Sequence, residues 1–273
     1  MSRIVEPVVC CLGESAGGDP TQFVMERLTR EAGLDWRFIT AELSADQIGL
    51  AVAGIRAMNF DGIAFLEPVA ASLRPPLDSL AGSVMCSGRI TAARRDGLNW
   101  LGEDLTGAAI TTLLREVVGE ASTAGSIVVY GDAATECLIR LADPALASRL
   151  YAVVAEENDK PTEVLAHVPS VLTRHEIAQL EMPIGVLIVA DRLSSLDASL
   201  LNQCRFVDGA VLMTAGSKSG GSSSYNDELV PHLRRLDEQL LTVAALATTF
   251  QFWTGHTANF DTIRDCLDEF ASW

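Results

Sequence analysis

Basic residues are scarce in this sequence. Twenty lysines and arginines stand against thirty-six aspartates and glutamates among 273 residues, so the formal net charge at pH 7 is -16. A field of this sign repels phosphate backbones and anionic lipid headgroups. The composition therefore excludes nucleic acid and membrane surfaces as expected partners, and an anionic ligand needs a locally basic pocket.

Paired cysteine motifs and long apolar runs are missing as well. The six cysteines show no C-x-x-C spacing, and several lie in apolar stretches where a buried free thiol is the ordinary interpretation. No stretch reaches about 18 apolar residues without a charge, and residues 1–6 lack a basic segment leading into an apolar one. We therefore expect a globular protein of a reducing, cytoplasmic compartment, with neither an export signal nor a membrane span.

Motifs for metals and nucleophiles are also absent. The four histidines are far apart and form no H-E-x-x-H spacing, and no G-x-S-x-G sequence is present. The serine- and glycine-rich stretch 217–225 buries too little apolar surface to order itself, which predicts a mobile surface loop. The sequence thus predicts no metal site and no serine nucleophile.

Apolar residues are abundant, at 48% of the chain, and they recur in an alternating strand and helix pattern. The run 5–12, which ends at Gly13, predicts a buried strand, and Asp19 followed by Pro20 predicts the start of a helix that Gly33 ends. This β-α-β-α-β alternation is typical of a mainly parallel sheet covered by helices. The other predicted strands in this half of the chain are 36–39 and 62–66, and the other predicted helices are 45–58 and 105–118.

A second alternation follows the Gly-Glu-Ala-Ser-Thr-Ala-Gly linker at 119–125. Its order is that of a small doubly wound, Rossmann-like nucleotide-binding domain. We therefore predict an α/β fold with two domains, 1–118 together with 239–273, and 119–238. The predicted segments are strands at 127–130, 151–155, 185–189 and 209–213, a helix at 135–141, and closing helices at 229–247 and 260–270.

Three short stretches occur in the order and spacing of a known family. They are GLDWRF at 33–38 with the segment 51–62, D-G at 96–97 with D-L-T-G at 104–107, and FQFWTG at 250–255. They resemble, in turn, the approach to N-V-T-x-P-x-K, the end of G-x-N-T-D-x-x-G, and the F-x-x-W-T-G of the shikimate dehydrogenase family. The resemblance implies a substrate-binding-type domain, closed by C-terminal helices, and an NADP-binding domain, with hydride passing between nicotinamide and shikimate.

The lysine that this family uses in catalysis has no counterpart in the alignment. Aligning on Gly62 and Pro68 places Ala64, Leu66 and Ala70 on the Asn, Thr and Lys of N-V-T-x-P-x-K. A methyl group neither donates a hydrogen bond nor relays a proton. The resemblance therefore implies the fold more strongly than the activity.

Most of the other positions that contact the substrate in this family also carry different residues in this sequence. The paired serines that hold the family's substrate carboxylate correspond to Gly17 and Asp19, and its Gln falls near Ala245. Thr91 stands at the position of an Asn, keeps one hydroxyl and is a candidate substrate-binding residue. Asp104 keeps the identity of a catalytic-site residue and is the candidate catalytic residue, although an Asp here is also expected to cap the following helix.

Arg89, Arg94 and Arg95 form one basic cluster near the expected cleft. An arginine fork binds a carboxylate through two hydrogen bonds, so Arg89 is a candidate substrate-binding residue and a small carboxylate is a candidate ligand. The alternative is a solvated hairpin surface, the ordinary location of a charged run. Trp253 and Phe252 are predicted to pack a helix against the first domain.

The cofactor motif is only partly kept. The strand 127–130 leads into Gly131, the candidate cofactor-binding residue, but the later glycines of a dinucleotide fingerprint are alanines. Asp132 places a negative charge where a phosphate lies, and Glu156 and Glu157 stand where the family has Asn-Arg-Thr for the 2′-phosphate. We expect no useful NADP binding; NADP or NAD is expected only if the chain is an active enzyme.

Three functional hypotheses follow. The first is a non-catalytic paralogue kept for binding, scaffolding or regulation. The second is an active NAD(P)-dependent oxidoreductase of this fold acting on another hydroxy acid, with Asp104 and Arg89 in the pocket. The third is the family reaction itself, which needs Lys160 or Lys218 because residues 60 to 110 contain no lysine. A homodimer stays open as the assembly.

Overall fold

The structure is a computed structural model that divides the chain into two units. Unit 1 comprises Met1–Ala109 and Val243–Trp273, and unit 2 comprises Ile110–Thr242. The domain bounds predicted from sequence are 1–118 with 239–273, and 119–238. Described residues are 6–66, 69–72, 76–118, 125–130, 146, 149–153, 171–172, 175–189, 198–214 and 233–273. Predicted features outside them are Gly131, Asp132, Glu156, Glu157, Lys160, Lys218, the linker residues 119–124, the helix 135–141 and the loop 217–225.

Unit 1 begins with the predicted alternation of strands and helices. Its first elements are β1 (Val8–Gly13), α1 (Thr21–Glu31), β2 (Arg37–Glu42), α2 (Ile48–Ala57) and β3 (Gly62–Phe65). β1 lies between β2 and β3 and pairs in parallel with both. Every residue of β3 is buried, as expected for a strand covered on both faces of a parallel arrangement.

The ends of α1 lie where the turn residues predict them. The Asp19 carboxylate accepts a hydrogen bond from the Thr21 backbone N–H at 2.8 Å, which satisfies a free donor of the first turn. At the other end Gly33 has φ +65°, a left-handed conformation that favours glycine after a helix. Both termini of this helix are therefore confirmed from local sequence signals.

The sheet of unit 1 is mixed rather than mainly parallel. The next elements are α3 (Val69–Ser72), β4 (Ser79–Leu80), α4 (Gly82–Ser87), β5 (Ala92–Asp96) and β6 (Asn99–Glu103). β5 and β6 form an antiparallel hairpin, and β5 also pairs antiparallel with β3. The two-residue turn Gly97-Leu98 closes the hairpin, with Gly97 at φ +64°. A glycine at the first position of a two-residue turn is a known hairpin signal, because it adopts the positive φ that this position requires.

Unit 2 contains a parallel sheet of the predicted Rossmann-like kind. Its elements are β7 (Ser126–Tyr130), β8 (Leu150–Val153), β9 (Val171–Leu172), β10 (Ile184–Val189), α6 (Ala198–Leu201), β11 (Phe206–Thr214) and β12 (Arg234–Arg235), and the helix α5 (Thr106–Leu113) precedes them. The strand order is β12-β11-β10-β7-β8-β9, and every pairing is parallel. The four predicted strands are confirmed, whereas the two-residue strands β9 and β12 carry too little pattern to be read from sequence.

The first closing helix differs from its predicted span of 229–247. Residues 234–235 are the strand β12, and the helix α7 runs from Glu238 to Thr254. The F-x-x-W-T motif thus lies inside α7, which ends just before Gly255 at φ +73°. The last helix, α8 (Phe260–Ala271), matches its prediction. Among the helices in the described ranges, none combines the length and apolar character that crossing a membrane requires.

Apolar clusters cover both faces of the sheet of unit 1. On one face, Phe38 and Ala92 pack with Trp253 and with the apolar stripes of α1, α7 and α8. On the other face, Ile63 and Ala93 pack with residues of α2, α3 and α4. Alternate residues of each strand enter the two clusters, as the period of a strand requires.

Candidate functional site

The hairpin brings Thr91 and Asp104 together at the carboxyl edge of β1 and β3. Thr91 immediately precedes β5, and Asp104 immediately follows β6. The Thr91 backbone N–H donates to the Glu103 carbonyl oxygen at 3.0 Å, and the Phe65 N–H donates to the Thr91 carbonyl at 2.9 Å. Two of the candidate site residues are therefore neighbours at the edge where open α/β sheets bind ligands.

The Asp104 side chain caps the helix α5. Its Oδ1 accepts hydrogen bonds from the Thr106 backbone N–H at 2.9 Å and from the Thr106 hydroxyl at 2.7 Å. The Asp104 backbone N–H donates to the Ser83 hydroxyl at 3.1 Å. The side chain is only 2% exposed. One carboxylate oxygen is thus committed to the first turn of a helix, as the capping interpretation predicts.

The other carboxylate oxygen of Asp104 lacks such hydrogen bonds among the described residues. Oδ2 is buried and has no hydrogen-bond partner in the part of the chain that the structure describes. A buried acceptor without a partner costs about 1–3 kcal/mol. A hydroxyl or another donor placed beside Oδ2 would remove this cost, so the atom keeps a capacity for ligand contact.

The Thr91 hydroxyl is used within the fold. It accepts a hydrogen bond from the Leu105 backbone N–H at 2.9 Å and lies 3.4 Å from the Glu103 carbonyl oxygen, to which it donates. Thr91 therefore ties the start of α5 to the end of β6. Its role in the described residues is structural, and its use as a substrate contact stays a prediction.

Glu103 is an ionisable neighbour that the sequence reading did not single out. Burial raises the pKa of its carboxyl above the usual value, the Arg94 guanidinium opposes this rise, and the Asp104 carboxylate adds to it. Two adjacent acidic residues at the end of a strand were the available signal. Ser83 was equally missed, because its position beside Asp104 depends on the short strand β4 and the helix α4.

The three arginines of the predicted cluster lie at two different edges of the sheet. Arg89 precedes β5 on the Asp104 side, where its backbone N–H donates to the Ser87 hydroxyl at 3.1 Å. Arg94 and Arg95 lie in the second half of β5, beside Asp61 at the amino edge of β3. The antiparallel direction of β5 separates them, so they do not form one carboxylate fork near Asp104.

The position aligned with the family lysine is a packed methyl group. Ala70 is 0% exposed and belongs to the apolar cluster that contains Val69 and Ile90. Its backbone N–H donates to the Leu66 carbonyl at 3.1 Å, and its carbonyl accepts from the Ile90 N–H at 3.2 Å. Ala64, aligned with the Asn, is buried on the opposite face of the sheet. Neither position offers a polar group to a ligand.

Comparison with known proteins agrees with the three sequence stretches, although no family model matches the chain. The chain is 21% identical over 264 residues, 94% of each chain, to the shikimate dehydrogenase (NADP(+)) of Bacillus subtilis strain 168. The shikimate 5-dehydrogenase of Listeria monocytogenes, solved with shikimate and NAD, superposes with a TM-score of 0.70 at 14% identity, over 98% of this chain and 99% of that one. The resemblance to the shikimate dehydrogenase family is confirmed.

The same fold also occurs in a protein that is named for a different activity. The 5-ketofructose reductase of Gluconobacter sp. strain CHM43 superposes with a TM-score of 0.68 at 16% identity, over 98% of this chain and 99% of that one. Identities this low establish the shikimate dehydrogenase fold alone. Function must be argued from the side chains at the site.

The tryptophan of the family's F-x-x-W-T-G stretch has a packing role in this fold. The Trp253 indole N–H donates to the Ala93 carbonyl at 3.2 Å. A Cβ on Gly62 would lie 2.6 Å from the same indole nitrogen, so Gly62 is what allows the ring to approach β3. Phe252 lies under the Arg94 guanidinium, 4.8 Å from ring centroid to Cζ. The predicted packing of α7 against the first domain is confirmed within unit 1.

In unit 2 the strands β7, β8 and β10 end at Tyr130, Val153 and Val189, which are all buried. Arg149 and Arg205 immediately precede β8 and β11, at the amino edge, whereas dinucleotides bind outside the carboxyl ends of the strands. The residues that follow the carboxyl ends of β7, β8 and β10 lie outside the described part of the chain, so the expected lack of NADP binding stays a prediction.

Proposed function

We propose that this chain is a non-catalytic protein of the shikimate dehydrogenase fold, kept as a small-molecule binding or regulatory protein. The observation that carries the proposal is the fully buried Ala70 methyl at the position aligned with the catalytic lysine. A proton relay to a substrate hydroxyl needs a titratable group within hydrogen-bond reach of it. A methyl enclosed by Val69 and Ile90 supplies none.

Asp104 alone is a weak substitute for a lysine and aspartate pair. Its Oδ1 accepts hydrogen bonds from the Thr106 backbone N–H and hydroxyl, which fix the carboxylate at the first turn of α5. Capping therefore favours a structural carboxylate over a proton shuttle.

The proposal includes weak or absent binding of NADP. It is supported by the buried strand ends of unit 2 and by the acidic residues Asp132, Glu156 and Glu157 that follow β7 and β8 in the sequence. A small carboxylate stays the expected class of ligand, and a homodimer stays the expected assembly if the chain associates. A reducing, cytoplasmic location is supported by the free, buried Cys10 and Cys11, since burial raises the pKa of the Cys10 thiol to about 11 and keeps it unreactive.

A second candidate function is an oxidoreductase of this fold that acts on a different hydroxy compound. It is favoured by Asp104 Oδ2, which is buried without a hydrogen-bond partner among the described residues and is suited to accept one from a ligand hydroxyl. The Gluconobacter protein with this fold, named for reduction of 5-ketofructose, is a precedent for a changed substrate.

Two measurements separate these functions. Shikimate oxidation is followed by NADPH absorbance, with the Bacillus subtilis enzyme as positive control, and we expect no turnover. Thermal unfolding is followed with NADP, NAD and shikimate; a ligand at a hundred times its dissociation constant stabilises by about 2.7 kcal/mol, and we expect no shift from either dinucleotide. Turnover that disappears in Asp104→Asn would refute the non-catalytic proposal, and a clear shift with NAD would support the second candidate.

A further inference from the structure

A depression lies in unit 1 at the amino edge of the sheet, opposite to the edge that carries Asp104. Its volume is about 370 Å³, within the lower part of the ~300–1,000 Å³ range of small-molecule sites. Its position follows from the hairpin, because the end of the antiparallel β5 lies beside the start of β3. The lining residues are Trp36, Asp61, Arg94, Arg95, Asp96 and Trp253.

The apolar part of the lining consists of two indole rings. Trp36 is half-buried and stacks on Phe38, with ring centroids 6.5 Å apart and planes at 21°. Trp253 directs its N–H to the Ala93 carbonyl, so its polar atom is already satisfied. Trp253 is only 8% exposed, so the carbon surface that the depression offers an apolar or aromatic group comes mainly from Trp36.

One ion pair in the lining is already formed. Arg95 Nη2 lies 3.2 Å from Asp61 Oδ1, and both side chains are mostly buried. Asp61 Oδ2 also accepts a hydrogen bond from the Val8 backbone N–H at 3.2 Å. These two residues neutralise each other and shape the wall rather than bind a ligand.

The other two charges in the lining, Arg94 and Asp96, are exposed. One guanidinium nitrogen of Arg94 donates to the Phe252 carbonyl at 3.5 Å, the group lies over the Phe252 ring, and its charge also acts on the Glu103 carboxylate. A guanidinium has five N–H donors, so most of them remain for a ligand. Asp96 is exposed, and its carboxylate has no partner among the described residues. Because the two residues are separated by one position in β5, their side chains lie on the same face about 6.6 Å apart along the strand.

We propose that this depression binds a zwitterionic α-amino acid with an apolar side chain. Arg94 binds the carboxylate, Asp96 binds the ammonium group, and the side chain lies against Trp36 and Trp253. An amino acid carries both charges on one carbon, which matches a cation and an anion on one strand face. Its net charge of zero also avoids the repulsion that a chain of charge -16 exerts on free anions. The site is separate from Asp104, so it stands or falls independently of the proposed function.

The test compares three probes of one shape. L-Phenylalanine carries both charges, 3-phenylpropanoate only the carboxylate and 2-phenylethylamine only the ammonium group. Binding is measured by calorimetry and by quenching of tryptophan fluorescence. We expect phenylalanine to bind about two- to fivefold more tightly than either singly charged probe, since each probe lacks one charge pair and a pair with an exposed side chain contributes only a small factor. Equal affinities for phenylalanine and 3-phenylpropanoate, or no phenylalanine binding at about 10 mM, the mM end of the affinity scale, overturn the proposal.

Substitutions then assign the two charges. Asp96→Asn should weaken phenylalanine binding about two- to fivefold without weakening 3-phenylpropanoate, and because Asp96 is exposed we expect its thermal unfolding to stay close to that of the parent. Arg94→Gln should weaken both, with thermal unfolding reporting any loss of packing on Phe252. Arg264→Gln, an exposed arginine of α8 paired with Asp261, is the matched control and should leave both affinities unchanged. Phenylalanine binding that is unaffected by Asp96→Asn also overturns the proposal.

Discussion

The two edges of the sheet in unit 1 use polar residues in opposite ways. At the carboxyl edge, Asp104 Oδ1 and the Thr91 hydroxyl accept hydrogen bonds from the backbone at the start of α5, and Asp104 Oδ2 is buried without a partner among the described residues. At the amino edge, Arg94 and Asp96 lie on the surface of a depression, with Asp96 unpaired within the described residues. The carboxyl edge thus buries its carboxylate within the fold, whereas the amino edge exposes both charged side chains.

A residue type shared with a family motif is thus a poor guide to a shared role. Asp104 aligns with an aspartate of the family motif, yet its Oδ1 is hydrogen-bonded at the start of α5 and its Oδ2 is buried. Arg94 matches no family motif, yet most of its donors remain available. A polar group is available to a ligand only where it does not already form its hydrogen bonds within the fold.

The largest expected effect tests whether the space around Ala70 can accept a charged side chain. Ala70→Lys would place an ammonium group in a fully buried apolar cluster, and we expect a loss of at least about 3 kcal/mol in the free energy of unfolding. Urea denaturation measures it. Ala53→Lys, at an exposed position of α2, should change stability by less than about 0.5 kcal/mol. A stable Ala70→Lys protein that oxidises shikimate would show that the catalytic pocket is open.

The next prediction concerns the packing of Trp253 against β3. In Gly62→Ala the new Cβ would lie 2.6 Å from the Trp253 indole nitrogen, and relieving this overlap should cost about 2 kcal/mol and disturb the hydrogen bond to Ala93. Denaturant unfolding followed by tryptophan fluorescence reports both changes. Gly54→Ala is the control, because nothing lies within 4 Å of its Cβ and alanine favours the helix. Equal stability of the two variants would contradict this packing.

A smaller effect tests the cap. Asp104→Ala removes the acceptor for the Thr106 N–H and hydroxyl and should cost about 1 kcal/mol, whereas Asp104→Asn keeps an acceptor oxygen and should cost less. Thermal unfolding of both variants measures the difference. If Asp104→Ala were more stable than the parent, the carboxylate would be held at the expense of stability, as residues at functional sites are, and the comparison of the two edges would fail.

The smallest effect is the pH dependence of Glu103. Burial raises the pKa of this carboxyl in the folded protein, so the stability it contributes is complete below its ordinary pKa and is lost as pH rises through the folded value. Glu103→Gln removes this loss. We expect the variant to be more stable than the parent at pH 7, with an advantage that shrinks as pH falls to about 4. An advantage that is constant with pH would mean that Glu103 titrates normally.

Local sequence signals predicted much of the fold. The start of α1 at Asp19, its end before Gly33 and the four longer strands of unit 2 follow from capping residues and apolar runs. The hairpin of β5 and β6 was considered only as the alternative location of the arginine cluster, although Gly97 signalled its turn. The strands β4, β9 and β12 have two residues each, too few for any periodicity to be visible.

The candidate site was predicted in part. Thr91 and Asp104 do meet, because strand order and family resemblance place both beside the carboxyl edge. The grouping of Arg89 with Arg94 and Arg95 failed, since residues close in sequence diverge along an extended strand. Glu103 and Ser83 escaped notice because their closeness to Asp104 depends on pairing and helix placement rather than on spacing.

Composition and local pattern alone establish the fold class, the acidic charge, the family resemblance and the alanine at position 70, which the alignment places on the family lysine, because each is a property of the sequence itself. Tertiary contacts determine which polar atoms already have hydrogen-bond partners within the fold. The Asp104 cap, the bonded Thr91 hydroxyl, the enclosed Ala70 methyl and the depression beside Arg94 all arise from segments far apart in the chain. Burial and hydrogen bonding are properties of what surrounds a residue, and a folded chain alone supplies those surroundings.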